Sequence, residues 1–164
     1  MNNFVVGLLA RAFADLGWST LVFNFRGVGR SQGEFDQGQG EQDDVLAALG
    51  YLKSLEKTDI ILAGYSFGAW VNARAALREP AIQSSLLVSP PLAMMDFSFL
   101  EKDTKTKLIV SGDQDPFCSV ADLTQTLQAI KAPPRLEIIP GADHFFSSGS
   151  EALIAAIIEN EPLL

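Results

Sequence analysis

Apolar residues at Phe4, Val5, Leu8, Leu9, Ala12, Phe13 and Leu16 recur at helical spacing, and Gly17 follows them as a stop, so the chain is expected to open on a helix. Residues 20–25 (TLVFNF) form a short, nearly continuous apolar run, the pattern of a strand covered on both faces, and lead into a glycine-rich segment over 26–40. Helical spacing returns over 43–55, with Glu41, Asp43 and Asp44 at its front, where negative charge suits the positive end of the helix dipole. The alternation then repeats: strand 59–64, helix 67–78, strands 84–88 and 107–111, helix 120–130, strand 135–139 and helix 150–158. Strands alternating with helices predict an α/β fold, a mostly parallel sheet with helices on both faces. In such sheets ligands sit beyond the carboxyl ends of the strands, so chemistry is to be sought in the loops that follow them.

Composition narrows the class. A chain of 164 residues, 48% apolar and 20% charged, suffices for one core and asks for no second domain. The formal charge of −8, with only 12 Lys and Arg, offers no basic stripe for nucleic acid or an anionic membrane. Cys118 is the single cysteine, which rules out an intrachain disulfide and a thiolate zinc site and fits a reducing, cytoplasmic setting. No basic region precedes an apolar run at the start, and charges interrupt every apolar stretch before membrane-spanning length.

The post-strand loops carry the candidate chemistry. Gly64-Tyr65-Ser66-Phe67-Gly68 is a G-x-S-x-G segment between the apolar run IILAG and the helix expected from Phe67, the strand-turn-helix setting that makes this pentapeptide a nucleophile elbow. Small residues at 64 and 68 let strand and helix pass closely, and the backbone N–H of Phe67, at a helix start, is a candidate oxyanion donor. A serine hydroxyl needs a base, and His144 is the chain's only histidine; it lies in PGADHFF, just after the strand RLEII. Asp115, in GDQDPF after the strand LIVS, is the candidate orienting acid, with Asp113 and Asp143 as competitors. The D-x-D at 113–115 also resembles a phosphoryl-transfer pair, a reading that leaves the serine elbow unexplained. The glycines of 27–33 lack the Lys-Ser/Thr of a phosphate-binding loop and read as a turn across the strand tips.

With NFRGVGRS at 24–31, GYSFG at the elbow, GDQDPF at the acid and GADHFF at the base, the chain resembles the compact, cap-poor α/β-hydrolases of the dienelactone-hydrolase-like group along its whole length. The resemblance implies Ser66 as nucleophile, His144 as general base, Asp115 as its acid, the Phe67 N–H as one oxyanion donor, and Arg26 as an anchor for its loop rather than a substrate ligand. It also implies an α/β-hydrolase fold lacking its first strands, since members of the group begin with further strands and a loop bearing a second oxyanion donor. Residues 1–164 are thus expected to form a single, N-terminally incomplete domain, with Met1 an internal methionine of a longer protein and a disturbed sheet centre, whose unpaired edge favours a homo-oligomer.

Phe145, Phe146 and Pro90, with Met94, Met95, Phe97 and Phe99, are candidates for an acyl pocket or for plain core packing. No insertion is long enough for a large lid, so a shallow, open site is expected. The expected activity is hydrolysis of small-molecule carboxylic esters or thioesters through an acyl-enzyme, without metal or organic cofactor; the alternative is a catalytically silent domain or binding module on the same fold.

Overall fold

A computed structural model describes residues 3–164. The first helix, α1 (Phe4–Asp15), is capped by the Asn3 side chain, which accepts the Val6 N–H at 3.0 Å. Then come α2 (Gln39–Ser54), β1 (Ile61–Tyr65), α3 (Phe67–Arg78), β2 (Ser84–Val88), β3 (Thr106–Gly112), α4 (Val120–Gln128), β4 (Arg135–Ile139) and α5 (Ser150–Glu159). Short 3-10 turns occupy Ser98–Lys102 and Glu161–Leu163. Among the described residues no helix is long and apolar enough to cross a membrane.

The four strands stand in the order β1-β2-β3-β4, and every pairing is parallel. The pleat sorts the central strands between two layers. Leu86, Val88, Leu108 and Val110 point to one face, where they meet Val5, Leu9 and Phe13 of α1 and Leu153 and Ile157 of α5. Leu87 and Ile109 point to the other, against Ala69, Val71 and Ala73 of α3, Val45 of α2 and Leu123 of α4. These strand residues have no exposed surface, and burying each contributes about 1.5–3 kcal/mol against an extended-chain reference, an upper bound. That two-sided burial is why the strands read as continuous apolar runs.

One expected element is not formed. Residues 20–25, expected as a strand, have no ladder partner, and Leu21, Val22 and Phe23 are exposed by 36 to 42%. An apolar run becomes a strand only when a neighbour accepts its backbone hydrogen bonds; among the described residues none lies beside it, and β1 pairs on one side only.

Helix α2 also begins earlier than its apolar spacing suggests. Glu41, fully buried, accepts the N–H groups of Asp36 at 2.9 Å and Gly38 at 2.7 Å and so closes the helix start. Asp43 and Asp44, expected as helix-start acids, instead pair with Arg78 and Arg26, each at 2.8 Å. Arg26 holds Asp44 by backbone N–H, Nε and Nη2, which anchors the glycine-rich loop to α2.

Candidate active site

Three loops at the carboxyl ends of β1, β3 and β4 converge. Gly64 lies so close to α3 that a Cβ there would stand 2.4 Å from the Gly68 carbonyl oxygen. That tight passage turns the chain sharply into α3 and leaves Ser66 at φ +53°, a conformation non-glycine residues adopt only under constraint. The Ser66 N–H donates to the Val88 carbonyl at 2.9 Å and the Ser66 carbonyl accepts the Ala69 N–H at 2.9 Å, so the strained residue is held from both sides. Phe67, the first residue of α3, presents a backbone N–H with no acceptor within the helix.

Gly112 performs the equivalent service between the other two loops: a Cβ there would lie 2.0 Å from the Ala142 carbonyl oxygen. This close approach brings Asp115 to His144, whose Nδ1 lies 2.8 Å from Asp115 Oδ2, while Nε2 lies 2.9 Å from Ser66 Oγ. Asp115 and His144 are 4% and 5% exposed; Ser66 is half-buried and reachable. The two competitors of Asp115 are engaged elsewhere. Asp113 accepts the Gly141 N–H at 2.7 Å, and Asp143 accepts those of Phe145 at 3.1 Å and Ser147 at 2.9 Å.

Burial opposes charge on Asp115, but hydrogen bonds from His144 and the Phe117 N–H, the latter at 2.9 Å, outweigh it and hold its carboxyl below the usual carboxylate range. Ser89 adds to this. Its buried hydroxyl meets no partner at standard hydrogen-bond geometry, yet lies near enough to Asp115 to favour the ionised form. Ser89 also sits at φ +45° directly after β2, a second strained residue beside the first. Burial, then the charges of Asp115 and Asp143, push the Tyr65 phenol up to about 12, so it stays a neutral donor, and it fixes the His144 carbonyl at 3.1 Å. Burial likewise pushes the Cys118 thiol up to about 12 and leaves it a packing residue.

Of the candidate substrate-contacting residues, Met94 and Phe145 lie at the surface, 71% and 62% exposed, and Phe145 stands edge-on to the His144 ring at 5.4 Å. Phe146 and Pro90 do not line a pocket. Phe146 has no exposed surface and packs among Leu153, Val110 and Phe13; at φ +51° its backbone turns the second ring of the pair inward. Pro90 is buried where the chain leaves β2. Two clefts, of about 350 and 450 Å³, lie elsewhere, and Ser66, Asp115 and His144 line neither of them; Met95 and Phe97 line the larger of the two. Among the described residues no cluster of three or more His, Cys, Asp or Glu is arranged to hold a metal ion.

Sequence reasoning passed over Tyr65, Ser89 and Phe117. Asp115-Pro116-Phe117 carried the one readable signal, since an aspartate that accepts the N–H two residues on is an ordinary turn former. Tyr65 and Ser89 act through contacts between distant segments and leave no local trace.

Relatives of known structure share this arrangement of elements. An α/β serine hydrolase homologue from Coxiella burnetii superposes with a TM-score of 0.91 at 37% identity, covering 98% of this chain and 77% of its own. XC6422 of Xanthomonas campestris, an α/β serine hydrolase without a lid, does so at 0.91 and 35%, covering 100% and 75%. The uncharacterized protein RP471 of Rickettsia prowazekii (strain Madrid E) is 40% identical over 168 residues, 96% of this chain and 70% of that one. The family model for serine aminopeptidase, S33, matches residues 5–106, more than half the chain and including the elbow at Ser66. On that match, with the parallel sheet and the elbow in place, the chain belongs to the serine aminopeptidase S33 family of α/β hydrolases.

Proposed function

We propose that the chain hydrolyses small-molecule carboxylic esters or thioesters through an acyl-enzyme on Ser66. The observation that carries this reading is the continuous chain of contacts from Ser66 Oγ to His144 Nε2 at 2.9 Å and from His144 Nδ1 to Asp115 Oδ2 at 2.8 Å. Ser66 Oγ attacks the substrate carbonyl carbon and its proton passes to His144 Nε2. The resulting oxyanion is met by the Phe67 N–H, and one such donor is worth about a hundredfold to a thousandfold in rate. The alkoxide or thiolate then leaves, taking the proton from His144. Water attacks the acyl group, gives its proton to His144, and Ser66 recovers that proton as the acid departs. Asp115 remains ionised and keeps the imidazole proton on Nδ1. Among the described residues no long insertion stands over Ser66, which favours small or extended substrates.

Residues 3–164 serve in this reading as one domain in a reducing, cytoplasmic setting, with Cys118 buried and unpaired. A second reading, a catalytically silent domain, draws support from the unladdered 20–25 run and the one-sided pairing of β1, which leave the sheet beside the elbow unbraced and open to association with another copy. Labelling with an alkyl fluorophosphonate, alongside hydrolysis of short p-nitrophenyl esters, separates the two. The hydrolase reading expects both, each abolished in Ser66→Ala; an unlabelled, inert chain establishes the silent reading.

A further inference from the structure

The most exposed phenylalanine of the described residues is Phe35, 65% accessible, and it stands beside the nucleophile's neighbour. Its ring packs on Phe67 with centroids 5.6 Å apart; Phe67 meets Phe25 edge-on at 5.8 Å, and Phe25 meets Phe23 at 5.5 Å. Four aromatic rings thus run in a row that ends, at Phe35, beside the residue following Ser66. On the histidine side, Phe145 stands equally free. Exposed aromatic surface on both sides of the Ser66–His144 pair requires an explanation, because withdrawing one such ring from water is worth about 1.5–3 kcal/mol.

Phe35 is kept from collapsing inward. Buried Glu41 holds the backbone on its C-terminal side through the Asp36 and Gly38 N–H groups, and Asp36 Oδ2 in turn accepts the Gly40 N–H at 3.0 Å. On its other side the chain is packed so closely that a Cβ on Gly27 would lie 3.2 Å from the Phe35 nitrogen. The Arg26–Asp44 pair fixes the base of the loop. A ring held out in this way has met its ordering cost before any ligand arrives.

We propose that Phe35, backed by Phe67, is the residue that selects substrates carrying a flat aromatic group, making aryl-bearing esters the preferred class over straight-chain alkyl esters. This rests on the hydrolase reading of Ser66. The exposed face of Phe35 offers an alkyl chain only one side to bury against, whereas a planar ring stacks on that single face at centroid separations of about 4.5–7 Å.

The test measures kcat/KM by acid release for methyl 3-phenylpropanoate against methyl hexanoate, and for phenyl acetate against butyl acetate, in the native chain, Phe35→Ala and Phe35→Tyr. Phe4→Ala, at an exposed ring on α1 away from the loop, is the control. The proposal expects the aromatic-to-alkyl ratio to fall about tenfold in Phe35→Ala for at least one pair, mostly through KM, with Phe35→Tyr and Phe4→Ala keeping the native ratio; a tenfold change is the scale of one lost aromatic contact. An unchanged ratio in Phe35→Ala, with turnover still abolished by Ser66→Ala, overturns the selectivity and leaves the hydrolase reading intact. If the native chain cleaves none of the four esters and Ser66 resists fluorophosphonate, the hydrolase reading falls and this one falls with it.

Discussion

Replacing Asp115 with asparagine isolates the feature on which the triad depends. The carboxylate accepts two hydrogen bonds, one oxygen from the Phe117 N–H at 2.9 Å and the other from His144 Nδ1–H at 2.8 Å. An asparagine side chain of the same shape has one acceptor only, and the Phe117 N–H requires it. The amide NH₂ must then face Nδ1, which becomes the acceptor, and the imidazole proton moves to Nε2, where it points at Ser66 Oγ across 2.9 Å. His144 can no longer take the serine proton. For a wrong tautomer in otherwise intact geometry the loss is about 10⁴-fold, or ~5.5 kcal/mol. Stability changes far less: both charge-assisted bonds become neutral, a difference of about 2 kcal/mol together, which lowers the melting temperature by about 4–8 °C in a chain of this size. The assay is the second-order rate of fluorophosphonate labelling, paired with a thermal melt and nitrogen NMR of the imidazole, whose signals need no assignment because His144 is the only histidine. Labelling of Asp115→Asn within about tenfold of the native rate, with the imidazole proton still on Nδ1, would refute this account of the acid.

Three further outcomes follow from the same geometry. Gly64→Ala puts a Cβ 2.4 Å from the Gly68 oxygen and 2.8 Å from the Ala69 Cα, so strand and helix must part; the expected loss of labelling is about a hundredfold or more, measured with the fold checked by circular dichroism. Phe146→Ala empties a fully buried site and should cost about 3–5 kcal/mol in urea unfolding, whereas Phe145→Ala, on the exposed ring next door, should cost less than about 0.5 kcal/mol. Acidification should destabilise the chain. The Arg26 guanidinium holds the Asp44 carboxyl below its usual range, and His144 and the Phe117 N–H, against the opposing effect of burial, do so for Asp115. Because these folded-state values lie below the unfolded reference of about 3.9, their contribution is fully present above that pH and is lost as pH falls through the depressed values; melts between pH 6 and pH 2.5 should show the loss, and Asp44→Asn should flatten it.

Much of this was readable from residue order alone, and the exceptions share a cause. Strands β2 and β4 and helix α3 fall where the apolar runs and the flanking Gly, Pro and charged residues place them, because each is set by its own few residues. That Ser66, Asp115 and His144 share one end of the sheet was legible for the same reason: each follows a strand with its own turn signal. Residues 20–25 are a strand in pattern but not in fact, since pairing depends on a neighbour that no local pattern reveals. Phe145 and Phe146 are identical in type and adjacent, and only a positive φ at the second decides which faces water. Ser89 escaped notice because its partner Asp115 lies far away in sequence, while Glu41, expected as a helix-start acid, does close the start of α2 through the Asp36 and Gly38 N–H groups.

The order of the strands in the sheet is also their order in the chain, so synthesis can lay the sheet down outward, each new strand beside the one before it. Helix α1 breaks that economy. It precedes β1 to β4 in the chain, yet its apolar face of Val5, Leu9 and Phe13 packs with Leu153 and Ile157 of α5, which follows all four. A ribosome-bound chain therefore carries this helix only partly covered until α5 emerges, and Ser66 emerges well before its neighbour His144. The same arrangement that delays completion also keeps the Ser66–His144–Asp115 contacts from forming until β4 and the loop after it exist.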